Sequence, residues 1–221
     1  LGASVTALAY GPGDSPEASA RSALILAHGA GAGQESPFMV AFAVGLAAHG
    51  LLTFTFNFPY MERRRRIPDR RAVLEDCYHA VIAEVARAAG SRTLFIGGKS
   101  MGGRIATHVA AASPEAALGG LVLLGYPLHP PGRPADRRDA HLPDIRRPVL
   151  FVQGSRDPFG TPTELESALS TMSPAPALHV VEGGDHSFKI SRGGRAGQDA
   201  VYREVQDAIV SWVVAVPRAG Q

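Results

Sequence analysis

Apolar residues along this chain follow two rhythms. Short unbroken runs, such as Ala23-Leu24-Ile25-Leu26-Ala27 and Leu121-Val122-Leu123-Leu124, read as strands buried on both faces, whereas longer stretches with three-to-four spacing read as helices with one apolar side. Alternating Val5, Ala7 and Ala9 predict an edge strand, followed by a Gly/Pro/Ser turn region over residues 11–19. A strand over residues 22–27 runs into the glycine-rich His28-Gly29-Ala30-Gly31-Ala32-Gly33. Residues 37–49 predict a helix stopped by Gly50, and residues 51–56 the next strand. Residues 57–66 read as a loop. Residues 71–89 form a well-patterned amphipathic helix with Val73, Leu74, Cys77, Tyr78, Val81, Ile82 and Val85 on one side.

A strand at 93–96, a buried helix at 104–111 and a strand at 120–124 come next. Residues 125–147 are rich in Pro and Arg and show no helical period. The chain then predicts a strand at 148–152, a helix at 163–172, a strand at 178–181 and a closing helix at 198–216 that carries Val201, Val205, Ile209, Trp212 and Val213. Strands alternating with helices at this spacing predict a single domain with a mostly parallel sheet covered on both faces. In such sheets the loops beyond the carboxyl ends of the strands are the functional end.

The 221 residues suffice for one sizeable core, and no composition shift divides them. A formal net charge of +2 does not suggest a polyanion-binding surface, so no nucleic-acid partner is expected. Lysine occurs only at Lys99 and Lys189 among the many arginines, a skew that reflects coding bias more than chemistry. Cys77 is the only cysteine, so neither an intramolecular disulfide nor a Cys-rich metal site can form. The histidines show no H-x-x-x-H or H-x-H spacing, and no metal is expected. No run reaches membrane-spanning length and the first ten residues do not read as a leader, which predicts a soluble, cytoplasmic protein without a membrane partner. Leu1 in place of Met leaves room for a removed leader.

The chemistry centres on Gly98-Lys99-Ser100-Met101-Gly102. With a strand before it and a helix after it, this G-x-S-x-G has the context of a nucleophile elbow, where missing Cβ atoms let strand and helix approach closely. Ser100 is then held at the tip of the turn, with the Met101 N–H facing a potential oxyanion. A P-loop would need a glycine where Thr93 stands, and a Ser-x-x-Lys pair would need a lysine where Gly103 stands. Two later strand ends carry Asp157 and His186. A serine hydroxyl needs a base, and the imidazole needs a carboxylate to set its tautomer. The order Ser100, Asp157, His186 is that of α/β-hydrolases. Rival acids remain: Asp185 beside His186, and Asp136, Asp139 and Asp144 after the 120–124 strand. His28 reads as a hydrogen-bonded structural residue.

Over nearly its whole length the chain resembles an α/β-hydrolase. More narrowly, HGAGAG (28–33), FPYMERRRR-IPDR (58–70), GGKSMGGR (97–104), QGSRDPFGT (153–161) and EGGDHSFK (182–189) are similar to the dienelactone-hydrolase-like family. Within it they most resemble the group of the NSL histone-acetyltransferase complex subunit and the testis-expressed hydrolase-like proteins. The resemblance implies an α/β-hydrolase fold without a separate cap domain, with Ser100 as nucleophile, His186 as base and Asp157 as orienting acid. It also implies an oxyanion hole from the N–H groups of Met101 and Ala30, and no cofactor. Dienelactone hydrolases proper use cysteine where Ser100 stands, which points here to ordinary ester chemistry. The expected activity is a serine carboxylesterase for small or accessible esters, with thioester or amide cleavage and a non-catalytic interaction module as alternatives. The run Arg63-Arg64-Arg65-Arg66, with Tyr60 before it, is a candidate clamp for an acidic substrate or else a solvated loop. Arg104, Arg192 and Arg195 are candidates to extend an anionic pocket.

Overall fold

A computed structural model describes residues 4–11, 21–114, 116–191 and 193–217. Most of the turn region expected over residues 11–19 therefore lies outside the described residues. Seven strands form one sheet: β1 (Ala7–Tyr10), β2 (Ser22–Ala27), β3 (Leu52–Phe56), β4 (Thr93–Lys99), β5 (Leu118–Leu124), β6 (Val149–Gly154) and β7 (Ala177–Val181). Their spatial order is β1-β3-β2-β4-β5-β6-β7, with every pairing parallel except that of β1 against β3.

The continuous apolar runs are explained by what covers them. Along β2, Ala23, Ile25 and Ala27 face one layer, packed with residues of α3 (Arg71–Ala89), α4 (Met101–Ala112) and α5 (Pro162–Leu169). Leu24 and Leu26 face the opposite layer, with residues of α1 (Pro37–Ala48) and α6 (Gly194–Ala215). Side chains alternate across a strand, so a strand covered on both sides needs apolar residues at every position. On α3 the observed bounds match those expected from the periodicity, but Val73 is exposed and the buried stripe runs through Leu74, Cys77, Tyr78, Val81 and Val85.

Several boundaries moved. β4 continues through Gly97 and Gly98 to Lys99, because parallel neighbours on both sides supply the pairing that glycine does not favour by itself. α4 starts at Met101 rather than Arg104, and α6 starts at Gly194 rather than Gln198. α5 begins earlier than expected, at Pro162, because Thr161 and Glu164 form a capping box around a proline at the first helical turn. Within the expected 57–66 loop, Pro59–Glu62 forms a single helical turn, α2, too short to leave a periodic signature. The 125–148 connection holds one 3₁₀ turn, Leu142–Asp144.

Candidate active site

Four strand ends converge on one place. β4 ends in Ser100, whose backbone φ and ψ of 51° and −114° lie in a region that L-residues rarely occupy. The Ser100 N–H donates to the Leu124 carbonyl at 2.9 Å, fixing the turn against β5. The glycines around it are required by close approach. A Cβ on Gly98 or on Gly102 would lie 2.4 Å from the Ala27 carbonyl oxygen, so a side chain at Gly98 would force β4 away from β2, and one at Gly102 would force α4 away from it.

Beyond β7, His186 places Nε2 2.8 Å from Ser100 Oγ, and its Nδ1 lies 2.7 Å from Asp157 Oδ2 beyond β6. An ionised carboxylate can only accept, so Nδ1 carries the hydrogen, and Nε2 is left to accept from the serine hydroxyl. Asp157 is almost wholly buried and accepts further bonds from the Phe159 N–H at 2.8 Å and from Gln153 Nε2 at 2.8 Å. Of the rival acids, Asp185 accepts from the N–H groups of Ser187 and Lys189 and so shapes the His186 loop. Asp139 pairs with Arg137, Asp136 with Arg133, and neither these nor Asp144 bonds to His186 among the described residues.

Three supporting residues gave no sequence signal of their role. Gln153, at the end of β6, is buried, accepts from the Tyr126 N–H and donates to Asp157 and the Gly160 carbonyl. Phe159 stacks on the His186 ring with centroids 4.1 Å apart. Lys99 is buried beside the elbow and its Nζ donates to the His186 carbonyl, with the rings of Phe38 and Phe188 5.4 and 5.9 Å away. Burial pulls the Lys99 ammonium down to about 8, against the opposing pull of Asp157 and Asp185. Only an adjacent-residue pattern such as Gly-Lys-Ser is visible in sequence, and it does not say where the lysine bends.

A cavity of about 710 Å³ opens over Ser100 and His186. Ala30 and Met101 both line it. Met101 begins α4, so its N–H belongs to the first helical turn, which has no intrahelical carbonyl partner. His28, by contrast, is wholly buried, with Nδ1 2.8 Å from the Gly29 carbonyl and Nε2 accepting from the Phe58 N–H at 3.1 Å. Desolvation holds its pKa below the usual histidine range, consistent with a neutral structural role.

The candidate substrate clamp is placed elsewhere. Arg63, Arg64, Arg65 and Arg66 are exposed and none lines the cavity. The α2 turn directs Tyr60 into the core against His28 instead of toward a ligand, and Arg64, at φ 56°, ends the turn in the left-handed region. Arg65 is held by Asp69 at 2.5 Å. Arg195 is exposed and away from the cavity, and Arg192 lies outside the described residues. Arg104 does line the cavity, joined there by Arg71 and Arg138, which the sequence patterns did not single out. Among the described residues, no group of three His, Cys, Asp or Glu is placed to hold a metal ion.

A mostly parallel sheet with a strained serine at the β4–α4 turn and a buried Asp–His pair at later strand ends defines an α/β-hydrolase architecture. The chain belongs to the alpha/beta hydrolase domain family, whose model matches residues 20–214. Solved structures share the fold. Est1E from Butyrivibrio proteoclasticus, described with bound ferulic acid, superposes with a TM-score of 0.73 at 16% identity, covering 95% of this chain and 96% of its own. A serine hydrolase without a lid from Xanthomonas campestris gives 0.72 at 20% identity, over 96% and 91% of the two chains. A dienelactone hydrolase from Anabaena variabilis gives 0.68 at 20% identity, over 94% and 97%.

Proposed function

We propose that this chain is a serine carboxylesterase acting on small or accessible esters through an acyl-enzyme. The observation that carries the reading is the unbroken hydrogen-bonded line from Ser100 Oγ through the His186 ring to buried Asp157. Ser100 Oγ attacks the ester carbonyl carbon while His186 Nε2 takes its proton, and the carbonyl π electrons move onto oxygen. The N–H groups of Met101 and Ala30 receive that oxyanion, and Asp157 balances the imidazolium. As the C=O bond reforms, the alkoxide leaves with the proton from His186. Water then attacks the acyl-enzyme, giving its proton to His186, which returns it to Ser100 Oγ as the acid departs. Each step is an acyl or proton transfer that these side chains carry, and the reading calls for no cofactor. The names of structural neighbours, an esterase and a dienelactone hydrolase among them, agree with ester cleavage.

Labelling with a fluorophosphonate probe tests the reading. The native chain is expected to label at Ser100, with labelling abolished by Ser100→Ala and reduced by at least about 10³-fold by His186→Ala, the scale on which triad members act. A folded native chain that does not label would reject it. That outcome would favour the interaction module suggested by the resemblance to the NSL complex subunit, and binding partners would be sought in its place. With labelling established, paired oxygen esters and thioesters of the same acid separate esterase from thioesterase activity, since the nucleophile is common to both.

A further inference from the structure

Arginines around the cavity fall into two groups. Arg65 is paired with Asp69, Arg71 with Glu75, Arg133 with Asp136 and Arg137 with Asp139. Arg104 and Arg138 line the cavity and make no ion pair among the described residues. Arg104 stands on α4 four residues after Ser100, about 6 Å further along the helix by its rise. Its Nε is buried and has no hydrogen-bond partner. Arg138, from the β5–β6 connection, makes one long bond of 3.5 Å, from Nη1 to the Pro127 carbonyl.

Desolvation, and then Arg104, hold Arg138 below the usual arginine range. Nearby His108 and His141 are held neutral first by burial, with Arg104 and Arg71 adding repulsion. Five cations line the cavity (Arg71, Lys99, Arg104, Arg138 and Lys189), of which Arg71 is paired with Glu75, against one carboxylate, Asp69, whose Oδ1 meets Arg65 and whose Oδ2 is buried with no partner among the described residues. A guanidinium cannot shed its charge and presents five donors, so half-buried arginines without a counter-ion make a receptor for a planar anion. Ile105 and Phe159 line the same cavity and give it apolar surface, which suits a short hydrocarbon spacer.

We propose that this cavity selects esters bearing a carboxylate a few bonds from the scissile carbonyl, and that Arg104 and Arg138 hold that carboxylate. The inference rests on Ser100 being the nucleophile. It moves anion recognition from the exposed Arg63–Arg66 run to Arg104, already a candidate from the sequence, and to Arg138, which was not.

The test compares kcat/KM for matched pairs: 4-acetoxybenzoate against its methyl ester, which places the charge on the alcohol side, and monomethyl against dimethyl glutarate, which places it on the acyl side. At low salt the native chain is expected to favour the anionic member of at least one pair by about tenfold or more, the scale of a charge-assisted hydrogen bond. Arg104→Gln and Arg138→Gln should each lower that ratio severalfold, Arg104→Lys should retain part of it, and Arg66→Gln should leave the ratio unaltered. Equal rates for both members of both pairs in the native chain would overturn the proposal, whatever the variants do. So would a preference that survives both Gln variants. A larger preference for 4-acetoxyphenyl phosphate than for 4-acetoxybenzoate would overturn the choice of carboxylate. Fluorophosphonate labelling of the same preparations keeps the two readings apart. Labelling with no anionic preference rejects only this inference, whereas a folded native chain without labelling rejects the serine-esterase reading and this one with it.

Discussion

At the scale of single residues, the proposed mechanism asks a weak nucleophile to work, and the structure supplies groups that hold other groups still. Asp157 has no solvent to stabilise it, and the N–H groups of Gln153 and Phe159 replace that solvent. Gln153 is tied in turn to the Tyr126 N–H and the Gly160 carbonyl, so it is a rigid donor rather than a rotating one. Replacing Gln153 by Leu keeps the volume and removes the bonds. Steady-state kinetics on an active ester should show kcat lower by about 10–100-fold with KM little changed, the loss expected for one hydrogen bond to a charged group. Asp157→Asn should cost far more, of order 10⁴-fold in kcat, because an amide can donate to Nδ1 and stabilise the wrong imidazole tautomer. Similar losses in the two variants would mean that Gln153 supports the fold of the loop and not the orientation of the carboxylate.

At the scale of elements, α4 joins the proposed active site to stability. Its first turn lies beneath Ser100 and ends in Arg104, and its second packs against the 125–148 connection. There His108 and His141 stack with centroids 3.6 Å apart, and His141 Nε2 lies 2.8 Å from Thr107 Oγ1. Burial first, and cationic neighbours second, lower the two histidines from 6.5 to about 3 and about 4. Below pH 6.5 the unfolded chain therefore binds protons that the folded chain refuses, and unfolding becomes easier as pH falls toward 4. Above pH 6.5 both states hold these rings neutral, and the pair contributes no pH dependence. Urea unfolding midpoints measured from pH 8 to pH 5 should be level and then decline, and His108→Gln should flatten the decline. An equal decline in that variant would place the acid sensitivity elsewhere, with buried His28 the next candidate.

At the scale of the molecule, nothing folded is inserted over the cavity among the described residues. The β5–β6 connection, residues 125–148, has only a single 3₁₀ turn and packs on α4. No helix among the described residues is long and apolar enough to cross a membrane. A cavity of about 710 Å³ with five cations in its wall is sized for a small ligand and poorly suited to a long acyl chain. Across 4-nitrophenyl esters from acetate to palmitate, kcat/KM should peak at short chains. A rise toward palmitate would mean that the apolar part of the lining, Phe38, Met39, Leu74 and Ile105 among it, accepts a long acyl chain despite the cations.

The one-dimensional pattern alone determined the α/β order, the sheet covered on both sides and the strand–elbow–helix around Ser100. These depend on local period, on glycines at close approaches and on turn residues, all of which neighbours in sequence record. It also placed Ser100, Asp157 and His186 at strand ends, because the parallel topology sends every such end to the same side. The tertiary structure decided which charges meet. The Arg63–Arg66 run was conspicuous as a cluster in sequence, yet the α2 turn carries it to the surface, where water screens it. Arg104 and Arg138 are 34 positions apart and share a wall only because α4 and the β5–β6 connection pack together. Gln153, Phe159 and Lys99 were likewise hidden, since what they do depends on where a side chain ends rather than on where it begins.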